Sequence, residues 1–334
     1  MEKIPTQKLD ESQEKESAIL NRIVEQTGVP NITKVLVEIP NTDFQSLMLE
    51  VLERKSDKMG IKEIFSSLEK NPFVAPSETE QSDFVHFDFL AYNLLPAEYK
   101  SMELSPLEPF GTNKILAAIS QKRILSTTRN SEIVSDPTTV LALHCARERI
   151  NKIRENPKDA ELVSMATSQR IVRQNKLKKD VQRQHFRTFT VMDAGRDIGF
   201  ETFEKENLKK QLTFFLNVLK KMNEDGKYSI NEITVVISNV GEKEELLGII
   251  RDSVVTDLSK VFPGVTFTFD LNKQSNYYKS LCYTIQAKNK NQTEPLTIVG
   301  GGMTDWTQKL VGSKKERLLF GSAGSEVLCK NFKN

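Results

Sequence analysis

Two strand-like segments that flank one basic loop, between Ser164 and Gly199, constrain the fold of this chain more than any other feature. The first segment, SMATSQRIV, ends near Arg173, and the second reads HFRTFTVMDAGRDIG. Polar and apolar residues alternate in both segments, a pattern typical of a long antiparallel hairpin. The connector between Arg170 and Arg187 is basic. It contains one acidic residue, Asp180, and five basic residues, namely Arg173, Lys176, Lys178, Lys179 and Arg183.

This basic hairpin has two interpretations. A planar guanidinium can pair two phosphate oxygens at once, so a hairpin with arginines at its base is suited to holding a phosphate group. The other interpretation is a solvated basic loop on an ordinary sheet, which the charge alone favours because charged loops are common.

Composition limits the class of protein. At 334 residues, with 38% hydrophobic and 28% charged residues, the chain has the size and balance of a globular protein with a sizeable core. A net charge of +2 excludes a strong global attraction to nucleic acid. The three cysteines lie far apart without CxxC spacing, which is typical of reduced thiols. The sequence has no run of about 20 apolar residues and no apolar leader, so we expect a cytoplasmic protein without a membrane partner.

The chain is predicted to divide into an N-terminal helical extension and linker over residues 1–84 and a core over residues 85–334. In the extension, residues 34–39 (KVLVEI) are predicted as a strand and residues 43–54 as a helix. The proline-containing stretch 71–83 is predicted as a linker. From Phe84 the run VHFDFLAYNLL alternates, which predicts a strand.

Within the core, Pro137 opens a predicted helix, because proline is favoured in the first helical turn. Apolar residues at helical spacing predict a second helix over residues 204–222. A buried strand at 233–238, an amphipathic helix at 242–260 and a strand at 265–271 are predicted to follow.

The hairpin resembles motif 2 of the class II aminoacyl-tRNA synthetases, most closely in the histidyl-tRNA synthetase branch. That branch carries a segment like FRHE, a basic loop, and then YRQFxQxGxExxG. This chain has VRQN at residues 172–175, a basic loop and FRTFTVMDAGRDIG. The matching residues are Arg173, Arg187, Phe189, Gly195 and Gly199. Asn175 departs from the pattern, since the family has an acid there that helps to hold ATP.

Two shorter matches lie before the hairpin. SPLE at residues 105–108 resembles the proline-bounded end of motif 1, which forms the dimer interface in the family. SDPTT at residues 135–139 stands where the family has RPEGT, a loop that contacts the ammonium group of the amino acid. Pro137 and a threonine match, whereas the arginine and the glutamate do not. Asp136 and Glu132 are both candidates to bind a cation there, and we assign Glu132 to the predicted ligand pocket.

A tyrosine pair and a glycine run resemble the amino-acid pocket of the same branch. NYYKS at residues 276–280 resembles a YYTG-containing run, which implies that Tyr277 and Tyr278 belong to the pocket. Because adjacent residues of a strand point to opposite faces, we expect one of the two to face the ligand. TIVGGGMTDWTQKL resembles GGGRYDxL, a turn where backbone approaches the ligand, which adds Gly301 and Gly302.

The last match is LLFGSAGSEVL, which resembles motif 3, GFGIGLERL. Glu326 matches the motif, while Val327 stands where the family has the arginine that contacts the γ-phosphate. The resemblance therefore implies a nucleotide site of Arg173, Arg187 and Glu326, with ATP and magnesium as the family's cofactors. The sequence itself leaves the cofactor open and assigns no catalytic residue and no metal ligand. Six residues follow Leu328, so we expect no anticodon-binding domain.

Together the matches imply an α+β fold over about residues 85–334, with an antiparallel six- or seven-stranded sheet flanked by helices, in a homodimer. Loss of one phosphate-clamping donor costs about 3 kcal/mol of transition-state stabilisation. The sequence therefore favours a synthetase-like paralogue that binds a small ligand, an amino acid or a nucleotide, or a partner protein, without charging tRNA. A partner enzyme is one candidate for that protein. The ATP phosphoribosyltransferase regulatory subunit is a family member of that kind. The alternative is a divergent ATP-dependent enzyme that activates an amino acid or another carboxylate for an acceptor other than tRNA.

Overall fold

The computed structural model describes residues 11–174, 184–241, 245–271 and 273–334. Asn175 and residues 176–183 of the hairpin connector, which include four basic residues, lie outside this description, so the predictions that concern them are not tested. The chain divides into two compact units. The smaller holds the residues up to 61 together with 128–130, and the larger holds residues 62–127 and 131–334.

The smaller unit is helical throughout its described elements, which are α1 (Glu11–Thr27), α2 (Ile32–Glu38) and α3 (Asn41–Ser56). Helix α3 confirms the helix predicted at 43–54. The strand predicted at 34–39 is wrong, because α2 occupies that stretch. Backbone bonds Val35 N to Asn31 O and Ile39 N to Val35 O have helical spacing. A short apolar run such as KVLVEI fits either structure, so its periodicity alone cannot decide.

The larger unit follows with helices and strands in alternation. Its elements are α4 (Ile61–Lys70), α5 (Gln81–Leu94), β1 (Tyr99–Ser101), β2 (Leu107–Pro109), α6 (Thr112–Leu116), β3 (Ser131–Ile133), α7 (Pro137–Glu155), β4 (Val163–Val172), β5 (His185–Arg196), α8 (Thr202–Glu224), β6 (Asn231–Asn239), α9 (Glu245–Ile250), α10 (Thr256–Val261), β7 (Thr266–Asp270), β8 (Leu281–Lys288), β9 (Leu296–Thr304), α11 (Trp306–Val311), β10 (Glu316–Ala323) and α12 (Ser325–Asn331). A π-helical turn at Arg251–Val255 joins α9 to α10.

Most of the predicted core elements are confirmed, and one is wrong. The hairpin, the helix from Pro137, the long helix α8 and the strand–helix–strand run from β6 to β7 all form. The stretch that starts at Phe84 is helix α5 and not a strand. Phe84, Phe87, Leu90 and Ala91 are its buried apolar side chains, and they recur at helical spacing. Since this run has an apolar residue at almost every second position, it satisfies both periods, and packing decides.

The main sheet has eight strands in the order β1-β4-β5-β10-β9-β8-β6-β7. Its six central strands pair antiparallel, whereas β1 pairs parallel with β4 and β6 pairs parallel with β7. The predicted α+β fold is confirmed, but the sheet is mixed and has eight strands, so the prediction of a purely antiparallel sheet of six or seven strands is wrong. Helical crossovers explain the parallel pairs. The connection through α9 and α10 brings the chain back so that β7 runs in the same direction as β6.

Two apolar layers enclose the sheet. On one face lie α5, α8 and α12, with Phe189 and Phe215 in their core. On the other face lie α7 and α11, whose core includes Ile171 and Trp306. Side chains that alternate along a strand are thereby divided between two different environments. Across the described parts of the chain, the helices lack the combination of length and apolar character that a bilayer crossing requires.

Candidate functional site

A cavity of about 470 Å³ opens on the α7 face of the sheet. Its walls come from the ends of β4, β5, β9 and β10, the first turn of α7 and the segment before β8. The sequence predicted part of this site. Arg173, Tyr277 and Tyr278 line the cavity, whereas Arg187, Glu326, Glu132, Gly301 and Gly302 are not among its lining residues.

Arg173 lies directly after β4 and forms one charged wall. Its guanidinium donates to Ser135 O from Nε (3.1 Å) and Nη2 (2.9 Å), and Nη2 also pairs with Asp136 Oδ2 at 3.0 Å. Its cationic carbon lies 5.6 Å from the centre of the Phe186 ring. Asp136 caps α7, because its Oδ1 accepts from the backbone N (3.1 Å) and Oγ1 (2.7 Å) of Thr138. One ion pair therefore joins the hairpin to the start of a helix at the cavity.

Both tyrosines of the predicted pocket reach the cavity, so the expectation that one of them faces away is wrong. They precede β8 in a turn whose backbone N–H groups both donate to Ser275 Oγ, at 3.1 Å from Tyr277 and 2.9 Å from Tyr278. Strand alternation does not apply in such a turn. The ring of Tyr277 meets Tyr278 and Trp306 edge-on, with centroids at 5.0 and 5.4 Å. Burial, followed by the charge of Asp136, raises the pKa of Tyr277 well above its usual value.

The glycine run of β9 contacts the cavity through Gly300 and not through the two predicted glycines. A Cβ at Gly300 would meet nothing within 4 Å. At Gly301 it would lie 2.3 Å from Phe320 O, and at Gly302 it would lie 2.6 Å from Cδ1 of Tyr278. The close approach that the sequence predicted for a ligand is thus made by the protein's own backbone and ring.

Arg187 and Glu326 lie on the opposite face of the sheet. In β5, Phe186 and Thr188 line the cavity, so Arg187 between them points away. Its Nη2 pairs with Asp88 of α5 at 2.7 Å, and its backbone N donates to Glu326 Oε2 at 3.1 Å. The two residues match the family pattern, but their contacts join α5 and α12 to the hairpin.

Glu132 is fully buried in the β2–β3 ladder and not in the cavity. Its carboxylate accepts from the backbone N–H groups of Gly111 (2.8 Å) and Asn113 (3.1 Å) and from Gln121 Nε2 (2.7 Å). Burial acts to raise its pKa, but these bonds and one from the Asn113 amide outweigh it and lower the pKa. Of the two acids considered for a cation, Asp136 is the one that lines the cavity.

Thr188 is the functional candidate that the sequence analysis missed. It is 7% exposed and lines the cavity, and its Oγ1 finds no hydrogen-bond partner among the described residues. A buried hydroxyl without a partner costs about 1–3 kcal/mol, so its place at a cavity points to a ligand. Its signal in the sequence is its position one residue after Arg187, which places it on the other face of the same strand.

The donor set at the cavity does not fit a magnesium ion. Asp136 has one carboxylate oxygen on Thr138 and the other on Arg173, and no group of three or more His, Cys, Asp or Glu residues within the described parts of the chain is arranged to hold a metal. The magnesium that the resemblance implies therefore has no prepared ligands here.

Comparison with protein-family models and with curated sequences finds no match. Solved structures do match. Apo histidyl-tRNA synthetase from S. aureus aligns with a TM-score of 0.55 at 14% identity, over 76% of this chain and 68% of that one. An ATP phosphoribosyltransferase regulatory subunit/histidyl-tRNA synthetase from Bacillus halodurans gives 0.53 at 12% identity, over 79% and 83%. A histidine–tRNA ligase subunit from Alicyclobacillus acidocaldarius gives 0.51 at 11% identity, over 76% and 94%. The fold of the chain is thus similar to that of the synthetase-like structures, as the motif order predicted.

Proposed function

We propose that this synthetase-like core binds a small ligand in the cavity beside Arg173 and does not charge tRNA. The observation that carries the proposal is Thr188, whose buried hydroxyl has no partner among the described residues and lines the cavity. A cavity of about 470 Å³ is large enough for an amino acid or a nucleotide fragment.

The lining determines which chemistry the ligand carries. Arg173 and the exposed Arg123 supply two guanidinium groups, which favours a carboxylate or a phosphate. Asp136 offers a negative charge beside them, and Tyr277 and Phe320 offer apolar ring surface. An amino acid or a nucleotide has this combination of charge and planar or apolar surface.

The absence of tRNA charging is supported by the residue at the motif 3 position. Val327 lies in α12, and its side chain packs against the core of the α8 face. An apolar side chain there cannot stabilise the charge that develops on a γ-phosphate. The net charge of +2 also provides no broad electrostatic attraction for a large polyanion.

A second function, ATP-dependent activation of a carboxylate, is favoured by one observation. The guanidinium groups of two arginines line one cavity, as binding of a nucleoside triphosphate requires, although Arg187 points away from that cavity. Exchange of labelled pyrophosphate into ATP, tested across the amino acids, separates the two functions. Exchange above a no-enzyme control selects the enzyme, and ligand binding without exchange selects the binding protein.

The proposed setting is a cytoplasmic homodimer that works beside a partner enzyme. Exposed apolar side chains on α5 and directly after β2 support a dimer, since Val85 is 59% exposed, Phe89 66% and Phe110 52%. One of the similar structures is named as a regulatory subunit, which supports a partner enzyme as the object of regulation.

Isothermal titration calorimetry with ATP, with and without magnesium, and with the twenty amino acids tests the proposal. We expect at least one compound to bind, and Arg173→Ala to weaken that binding by about tenfold or more, since a bond to a charged group is lost. Arg187→Ala is the matched control, because its guanidinium lies on the opposite face and should leave the affinity unchanged. If no compound binds, or if both variants lose affinity equally, the proposed function is wrong.

A further inference from the structure

Two buried glutamates face each other next to the cavity. Glu108 in β2 and Glu132 in β3 are opposed in the antiparallel ladder, at 2% and 0% exposure. The amide nitrogen of Asn113 donates to both carboxylates, at 2.6 Å to Glu108 Oε1 and 2.9 Å to Glu132 Oε1. Two like charges on one donor, away from water, favour a state in which one of them holds a proton.

The two glutamates differ in how well their charge is stabilised. Glu132 accepts two backbone N–H groups and two side-chain amides. Glu108 accepts the Asn113 amide, Thr139 Oγ1 at 3.0 Å and a long bond from Ser135 N at 3.4 Å. Burial raises the pKa of Glu108 to about 7. The three hydrogen bonds act to lower this pKa, and the charge of Glu132 acts to raise it. The neighbours from α6 and α7 that bond Glu108 are neutral, so Glu132 is the charged group facing it in the described chain.

The neighbours of Glu108 also contain acceptors for a proton. Asn113 Oδ1 and Ser135 Oγ are buried and have no hydrogen-bond partner in the described structure, where Glu108 acts as an acceptor. A protonated Glu108 becomes a donor and can satisfy one of these oxygens, which changes the bonds around Ser135. The two protonation states thus have different hydrogen-bond arrangements.

Ser135 connects this pair to the cavity wall. Its backbone N faces Glu108, and its backbone O accepts both bonds from Arg173. Thr139 Oγ1 lies 3.0 Å from Glu108 Oε2 and 2.8 Å from Asp136 O, so its one proton can be donated to either acceptor. A rearrangement at Glu108 is therefore transmitted, over one residue, to the Arg173–Asp136 pair.

We propose that the Glu108–Glu132 pair is a proton-operated regulator of the cavity, which repositions the Ser135–Asp136 segment and with it the Arg173 guanidinium. The effect of this regulation on ligand binding rests on the proposed function. The structural switch itself stands on the contacts of the pair and is measurable without a ligand.

Trp306 provides the readout, since it is the single tryptophan of the chain. It stacks on Phe320 at 5.8 Å and meets Tyr277 edge-on, and both of these residues line the cavity. The fluorescence of the ligand-free protein is recorded between pH 5 and pH 9. We expect a transition with its midpoint near pH 7 in the wild type, which Glu108→Gln abolishes.

Two further variants make the test specific. Glu204→Gln is the matched control, because Glu204 is also a buried glutamate with a pKa raised by burial, but it lies at the start of α8. The transition should persist in it. Thr139→Val keeps the acid and removes a bond that stabilises its charge, so the midpoint should move to higher pH.

The proposal is overturned if the wild type shows no transition, or if the transition survives Glu108→Gln and therefore belongs to another group. It is also overturned if Thr139→Val leaves the midpoint unchanged, a result that remains informative if Glu108→Gln does not fold. Failure of ligand binding in the calorimetric test leaves this readout unaffected, so the two failures are distinguishable.

Discussion

At the scale of single residues, the three consecutive glycines of β9 differ in the space around them, although the sequence shows the same residue three times. An added Cβ at Gly301 or Gly302 would come within 2.8 Å of several atoms, and at Gly300 it would enter open space. We expect Gly302→Ala to lower the free energy of unfolding by about 1–3 kcal/mol, through overpacking against Tyr278, Cys282 and the backbone oxygen of Leu281. Urea denaturation monitored by circular dichroism measures the change.

Gly300→Ala is the matched control for that prediction. Its free energy of unfolding should stay within about 0.5 kcal/mol of the wild type, because its Cβ meets no atom and surface-like substitutions are usually near neutral. Equal destabilisation by the two alanines would show that the strand needs glycine for another reason. Comparable stability of Gly302→Ala and wild type would show that the surrounding atoms move to admit the methyl group without cost.

The residue scale also explains why the sequence predicts only part of the site. Of the residues that the motif order indicates, Arg173 and both tyrosines line the cavity. Arg187 does not, because the face on which a hairpin residue lies depends on the register of the strands. Here Arg170 pairs with Arg187, and that register places Arg173 and Arg187 on opposite faces. The register does not follow from the residue pattern without the geometry of the connector.

At the scale of elements, the two wrong predictions concern short apolar runs. The stretches that form α2 and α5 fit the helical and the strand period equally well. The local pattern therefore does not distinguish a helix from a strand there. In α5 the decision comes from tertiary packing. Phe84 and Phe87 are buried on one side, and Val85 and Phe89 remain exposed on the other. An exposed apolar stripe on a surface helix is unusual unless another surface covers it.

The exposed side of α5 predicts a dimer contact that one substitution removes. We expect the wild type to be dimeric at micromolar concentration and Phe89→Asp to be monomeric, because a charge would be buried without a partner. Multi-angle light scattering measures the mass directly. Phe200→Asp is the control, since Phe200 is 88% exposed in a different part of the chain and should not affect the mass. A monomeric wild type, or dissociation by both variants, contradicts the prediction.

At the scale of the whole molecule, the order of the degenerate motifs correctly predicts the class of fold, although each match alone is weak. The prediction of the sheet is less successful at its edges. The residue pattern predicts the strand–helix–strand run from β6 to β7, but it does not predict that these two strands pair in parallel at the edge. It also does not predict the parallel pairing of β1 with β4, since three-residue strands have no periodicity to detect. Such short edge strands are defined by their neighbours and not by their own sequence.

The stability of the whole molecule should fall as the pH rises from about 5 to about 8. Burial raises the folded-state pKa of Glu108 from 4.5 to about 7, so the unfolded chain releases its proton first. The folded state is therefore favoured below the unfolded pKa, and that advantage of about 3 kcal/mol is lost as the pH rises to the folded pKa. Glu204, whose pKa is also raised by burial, acts in the same direction, whereas the lowered pKa of His144 reduces stability only as the pH falls.

Glu108→Gln separates these contributions, because it removes one titrating group and leaves Glu204 and His144 in place. We expect the free energy of unfolding of this variant to depend much less on pH between 5 and 8, with the residual slope due to Glu204. Urea denaturation at six pH values, in wild type and variant, measures the difference. Parallel pH profiles for the two proteins would show that Glu108 titrates at an ordinary pKa, which would contradict the raised pKa of the buried carboxyl.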